Sequence, residues 1–429
     1  MVRETLTVTD NRTGQKFEVA IERGAVRAAD LAAPFLTNAG PGLVIYDPGL
    51  SHTAICASSI TNIGLQTGLL EHRGYRIEDL VANSTYLEVC YLLLYGELPT
   101  ADQFSQFQAA FASRKFVHEN VKRFIQGFRY DAQPMAMLAA AVGALGSFYP
   151  DAGEISDTDA RTAQVLRLLA KMPTLGAYAF RHGNGQPFVY PSDDLSYTGN
   201  LLSMMFRMSE LEYQPDPTLE RALDILLMVH ADHEQSAATT AVRAVGSAHV
   251  DPYAAVAAGV YALSGPMRGS ADRDTLQMLR EIGSVEAVPE FLARVREGEG
   301  RLYGFGHWVY RSPDPRAGIL REQLDVLYEQ RGASPLLAIA DELARQASQD
   351  DFFVSRGIYP NVDLYSGLTY QAIGIPEQMF GVMFAIARSA GWIAQWLEMV
   401  LDPELETVRP RQLYVGVEPR EFVPLDRRG

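Results

Sequence analysis

Two short segments carry most of the chemistry this sequence offers: Gly304-Phe305-Gly306-His307 and Pro360-Asn361-Val362-Asp363. Each sets one ionisable side chain at a constrained turn, and three arginines, Arg316, Arg388 and Arg411, accompany them. A histidine beside a carboxylate in an anion-binding cleft is the equipment for enolising one carbonyl compound and adding it to another. Taken singly, each residue has a plainer use. His307 after Gly-Phe-Gly fits an ordinary surface loop as well as a backbone that a ligand approaches closely. Asp363 fits a helix N-cap. Arg388 lies in the apolar run Met383-Phe384-Ala385-Ile386-Ala387-Arg388, where an unpaired charge is costly, so it needs a protein carboxylate or a ligand. Arg316 falls in the first turn of a helix that Asp314-Pro315 opens, where free amides already favour an anion. Arg411 fits a solvated charge near the C-terminus. Together the three suit a dicarboxylate, since guanidinium matches carboxylate bidentately.

His230-Ala231-Asp232-His233-Glu234 places two histidines at i and i+3, on what the pattern predicts to be the apolar face of a helix. Core histidines with hydrogen-bond partners and an anion-binding pair are the two readings. A metal is disfavoured because no cysteine and no obvious third ligand accompanies them. The sequence has no GxxxxGK[ST], and Gly304-x-Gly306 lacks the third glycine of a dinucleotide fingerprint, which argues against a nucleotide loop.

The elements that must hold these residues are mainly helical. The chain has 429 residues, 47% hydrophobic and 21% charged, enough for a large core and more than one domain. A net charge of −15 with no Lys/Arg-rich block argues against nucleic acid or an anionic membrane surface as partner. Alternation at 6–9 and 17–21 around Asn11-Arg12-Thr13-Gly14 predicts a small β section over residues 1–50. Beyond it helix signals dominate: Thr85-Tyr86-Leu87-Glu88 and Thr100-Ala101-Asp102-Gln103 open helices, and Asp216-Pro217 opens a long one running into His230 and His233. Residues 51–277 and 385–429 are expected to form a large helical domain and 278–384 a smaller one. The apolar stretch 379–397, interrupted by Arg388 and Gln395, predicts a buried helix instead of a membrane span. Two cysteines, Cys56 and Cys90, and a start without an apolar leader point to the cytoplasm.

The set as a whole resembles the citrate synthase family. The resemblance runs from about Tyr46 to Tyr414, through Asp47-Pro48-Gly49, His72-Arg73-Gly74-Tyr75, Lys171-Met172-Pro173-Thr174, Gln186-Pro187-Phe188-Val189-Tyr190, the His230 and His307 segments, Asp314-Pro315-Arg316-Ala317, the Asp363 segment and Arg409-Pro410-Arg411-Gln412-Leu413-Tyr414. It implies a two-domain helical fold, with the N-terminal β section of the longer bacterial type and assembly as a dimer or hexamer. It also implies condensation of acetyl-CoA or a related acyl-CoA with oxaloacetate or a similar 2-oxo acid. No cofactor is implied beyond the coenzyme A thioester, which is a substrate. By position Asp363 would be the base at the acetyl methyl group, and His307 would polarise the ketone. His233, Arg316 and Arg388 would hold the dicarboxylate with His230 supporting them, and Arg411 would reach in from a neighbouring subunit.

The chain departs from that family at a third catalytic position. Where the family has Gly-Pro-x-His-Gly-Gly-Ala-Asn, this sequence reads Gly265-Pro266-Met267-Arg268-Gly269-Ser270-Ala271-Asp272. Arg268 therefore replaces the histidine that donates to the thioester carbonyl. Guanidinium cannot shuttle a proton, though it can stabilise an enolate electrostatically. Ordinary citrate synthesis is accordingly expected to be weak, and the alternative is a paralogue that binds oxaloacetate or CoA as a sensor or assembly partner. Trp308 stands where the family has arginine, and Met204-Met205-Phe206-Arg207-Met208-Ser209-Glu210 lacks the cysteine of the family's NADH-binding inhibitory site.

Overall fold

The computed structural model describes residues 4–35, 43–64, 66–209, 213–265, 271–329, 332 and 334–428. The chain divides into two compact units, one of residues 58–408 and one of residues 1–57 with 409–429. In the smaller unit Thr5–Asp10 and Gln15–Ala20 form the expected antiparallel hairpin, in register from Thr5↔Ala20 to Asp10↔Gln15. Gly14, at φ +76°, takes the left-handed turn position that glycine adopts without a Cβ penalty. Residues 409–428 have no regular element apart from a short 3₁₀ turn at Leu425–Arg427, and Arg411 on this segment is exposed.

The larger unit is helical, as expected, around Phe380–Leu401. That helix is buried over most of its length, with Trp392 and Trp396 wholly buried, which is the pattern of a core helix. Around it pack Tyr86–Tyr95, Thr158–Gly183, Pro217–His230, Ala237–Gly246 and Pro252–Leu263. Local signals set their ends. Thr85 accepts the Glu88 amide and Gly96 closes the helix at φ +90°, while Thr100 and Gln103 cap each other reciprocally. Among the described residues no helix is long and apolar enough to cross a membrane.

Two features position the site. A second group of helices, Ala271–Ile282, Pro315–Glu329, Pro335–Ala347 and Asp363–Ile373, packs together, and Asp363–Ile373 and Pro315–Glu329 also meet Pro217–His230. A three-stranded sheet of Thr61–Gly64, Leu69–His72 and Tyr75–Arg76 pairs Thr61 with His72. The sequence reading did not anticipate that sheet, because its strands have at most four residues and show no sustained alternation.

One expectation needs correction. The helix opened by Asp216-Pro217 ends at His230, so His233 does not share a helical face with it. The His230 carbonyl, which would accept the Glu234 amide in a continuing helix, instead accepts from Arg388 Nε at 2.6 Å. The Ala231 carbonyl likewise accepts the Gly391 amide at 3.0 Å. The neighbouring helix thus captures the last carbonyls, and Glu234 turns the chain away at φ +56°.

Candidate active site

The two motifs that stand 56 residues apart in sequence are stitched into one structure. Phe305 and Pro360 form an antiparallel bridge. The Gly306 amide donates to the Tyr359 carbonyl at 2.8 Å and the Asn361 amide to the Gly304 carbonyl at 2.9 Å. Asn361 then uses both ends of its side chain, donating from Nδ2 to the Gly306 carbonyl at 2.7 Å and accepting the Asp363 amide at 2.9 Å. Gly304 is required here. It sits at φ +76°, and a Cβ on it would lie 2.9 Å from Leu364 Cα. His307 and Asp363 are therefore fixed by backbone bonds between their two loops.

The same loop sets the protonation of His307. Its Nδ1 accepts from the backbone amides of Val309 at 3.0 Å and Tyr310 at 3.4 Å. An acceptor nitrogen carries a lone pair, so the proton of the neutral ring is on Nε2, and His307 presents a donor there. His233 lies next to it, with ring centroids 5.1 Å apart, and its Nε2 is 3.2 Å from the Tyr310 hydroxyl.

The two buried arginines differ. Arg316 holds Asp314 bidentately, with Nε–Oδ1 at 3.0 Å and Nη2–Oδ2 at 2.7 Å, and its own amide donates to Oδ1. The anion expected at this helix N-terminus is thus supplied by the protein. Burial disfavours the charge on Arg316, but the Asp314 carboxylate outweighs it and raises the pKa. Burial works against the Asp314 carboxylate too, and Arg316 overrides it so that the pKa is lowered. Arg388 has no such partner: among the described residues no carboxylate comes within 4 Å of it. It stacks over the Phe384 ring at 4.7 Å and donates to the His230 carbonyl. Burial brings its pKa down to about 10, the field of Asp232 resists this, and Arg316 adds to the fall. A buried guanidinium in that state is a site for an anion.

Around the arginines lie groups that sequence reasoning did not single out, His72, Thr61, Asp232 and Tyr310. His72 and His230 are fully buried and held neutral, both brought to about 3, chiefly by burial and further by the charges of Arg388 and Arg316. His233 is lowered for the same reason, with His307 contributing. His230 Nδ1 donates to the Leu226 carbonyl at 2.8 Å, leaving its Nε2 a buried acceptor without a protein partner among the described residues. The Thr61 hydroxyl joins His72 Nδ1 at 3.0 Å to Asp232 Oδ2 at 2.6 Å. His72 and Asp232 lie in segments that carry the family resemblance but give them no role, and Thr61 and Tyr310 show only polarity in apolar surroundings.

On the side of Asp363, the Ser366 hydroxyl one turn along the helix donates to Asp272. Burial raises the Asp272 carboxyl to about 8 and the Asp363 carboxylate adds to the shift. Asp363 also acts on Arg316. His307, Asp363, His230, His233, Arg316 and Arg388 thus form one electrostatically connected cluster. Arg268 lies outside the described residues, and Arg411 belongs to the smaller unit. A cavity of about 750 Å³ lies elsewhere, lined by Phe104, Phe111, Lys115, Tyr197 and Asp224 among others, and none of the predicted site residues borders it.

The cluster can hold an anion on Arg388, offer a hydrogen bond from His307 Nε2 to a carbonyl oxygen, and present a carboxylate from Asp363. Comparisons with known proteins point the same way. The family description "Citrate synthase, C-terminal domain" matches residues 49–411. A citrate synthase of Dictyostelium discoideum is 44% identical over 433 residues, covering 99% of this chain and 85% of that protein. A peroxisomal citrate synthase from the same organism is 44% identical, covering 99% and 88%. The crystal structure of citrate synthase from Pyrobaculum aerophilum is similar with a TM-score of 0.84 at 35% identity, covering 90% of this chain and 97% of that one. One from Thermoplasma acidophilum, described as a ternary complex with carboxymethyl coenzyme A and oxaloacetate, gives 0.81 at 29% identity, covering 89% and 98%.

Proposed function

Because the chain belongs to the citrate synthase family, we propose that it condenses acetyl-CoA or a related acyl-CoA with oxaloacetate or a similar 2-oxo acid. Asp363 takes a proton from the carbon next to the thioester carbonyl. The resulting enol or enolate attacks the ketone carbon of the 2-oxo acid while His307 Nε2–H holds the ketone oxygen and gives it the proton of the new hydroxyl. Water then cleaves the thioester and releases CoA. Arg388, Arg316 and His233 hold the dicarboxylate, His230 supports them, and Arg411 comes from a neighbouring subunit of a dimer or hexamer. Residues 278–384 act as the smaller domain of the pair. No cofactor takes part in this scheme.

The observation that carries this reading is the stitched junction of the two loops, which sets a donor with a defined tautomer and a carboxylate on adjoining turns beside the buried Asp314–Arg316 pair. Arg268 is assigned to the thioester carbonyl, where it stabilises the enolate by charge and not by proton transfer. The binding-only alternative has less behind it, since full-length relatives at 44% identity are citrate synthases.

The test is CoA release from acetyl-CoA with oxaloacetate, with the product identified by mass, beside a panel of other acyl-CoAs and 2-oxo acids. Citrate, or the homologous adduct of one panel member, supports the reading. Oxaloacetate binding without thioester loss for any donor would overturn it. Arg268→His is expected to raise citrate formation by about 10²-fold, the scale of one positioned donor.

A further inference from the structure

The state of Arg388 is unusual because a carboxylate stands nearby and does not pair with it. Asp232 is the carboxylate whose field acts most strongly on Arg388, yet the two do not form an ion pair within 4 Å. Asp232 is wholly buried. Its Oδ2 takes the Thr61 hydroxyl at 2.6 Å, while its buried Oδ1 has no hydrogen-bond partner among the described residues. The Thr61 oxygen in turn accepts from His72 Nδ1 at 3.0 Å, which orients the hydroxyl proton towards Asp232. Behind the carboxylate, Gly391 closes the space, since a Cβ there would lie 2.3 Å from Asp232 Oδ1.

We propose that Thr61 is a positioning residue: its hydroxyl holds Asp232 away from Arg388 and so keeps the arginine open for the dicarboxylate. The inference rests on the reading of Arg388 as a substrate-binding residue. Thr61 acts through Asp232 and does not touch substrate. Without the hydroxyl, a fully buried carboxylate loses a donor and the nearest available compensation is the guanidinium, which is then closed to ligand. The strand pairing of Thr61 with His72 fixes the geometry, because a residue at this register delivers its side chain to the same face as His72.

The test measures oxaloacetate binding by calorimetry and the KM for oxaloacetate, with thermal melting run beside them. Thr61→Val is expected to weaken binding and raise KM by at least about ten-fold, the scale of a hydrogen bond to a charged group, with kcat largely kept. Thr61→Ser should bind as the wild type does. In Thr61→Val/Asp232→Asn the captor has lost its charge, so affinity should recover to within about three-fold of the wild type, an allowance for imperfect additivity between touching residues. Wild-type affinity in Thr61→Val, or no recovery in the double variant, would overturn the inference while leaving the site reading intact. A wild-type protein that does not bind oxaloacetate would overturn both.

Discussion

The junction of the His307 and Asp363 loops and the arginine basin behind it are built on opposite principles. At the junction the protein fixes geometry with main-chain bonds, the Asn361 amide and the His307 Nδ1 acceptor, so Asp363 can change chemically without disturbing the frame. In the basin the frame is the charge balance itself: Arg316 is neutralised by Asp314, Arg388 by nothing within ion-pair reach among the described residues, and three histidines are kept neutral by burial. Reactive groups are held by backbone, and binding groups by unequal pairing. Variants at the junction should therefore cost rate, and variants in the basin should trade stability against affinity.

The largest effect sharpens the first half of that contrast. Asp363→Asn should lower turnover by about 10³-fold, as expected for removal of a general base, with oxaloacetate affinity unchanged in calorimetry. Arg316→Met should break the second half most visibly. It leaves Asp314 buried and unpaired, and a loss of about 3–5 kcal/mol in chemical denaturation is expected. Gly304→Ala attacks the junction's frame. A side chain at φ +76° against Leu364 should cost about 1–3 kcal/mol and shift His307 enough to reduce turnover about 10²-fold.

The smallest effect is a pH dependence in the basin. His72 titrates at about 3 when folded, below its ordinary value, so the unfolded chain binds the extra proton and His72's contribution is lost as pH falls from 6.5 towards 3. Buried Asp224 and Asp272, raised to about 6 and 8, act in the opposite sense, so the readout must be a difference between variants. The stability gap between wild type and His72→Asn should change by about 1.4 kcal/mol per pH unit through that window.

The contrast also explains what could be read from sequence. Helix ends were legible because their signals are local: Thr85, Thr100 and Asp216 lie within four residues of the amides they cap, and Pro315 is the first residue of the helix it opens. The His307 and Asp363 turns were legible because glycine and asparagine mark unusual backbone. That the two loops meet was legible only through resemblance, since the bonds between them span more than fifty residues. The basin was least visible. His233 leaves the helical face because Arg388 and Gly391 capture the carbonyls that would have continued the helix, and nothing near His233 announces that. Thr61 and Asp232 face each other across 171 positions. Charge balance inside a core is a tertiary property, and a residue such as Arg388 shows only that it needs a partner.

The most direct test of the account is Arg388→Met, measured by thermal melting and by calorimetric titration with oxaloacetate. If the arginine is a buried cation kept unpaired for a ligand, the variant should melt near the wild-type temperature, because relief of an uncompensated charge offsets the lost hydrogen bond to the His230 carbonyl. Its oxaloacetate affinity should fall by about 10²-fold, the scale of losing one member of a buried charge pair. A variant that melts far lower yet still binds oxaloacetate would make Arg388 a structural residue and contradict the account.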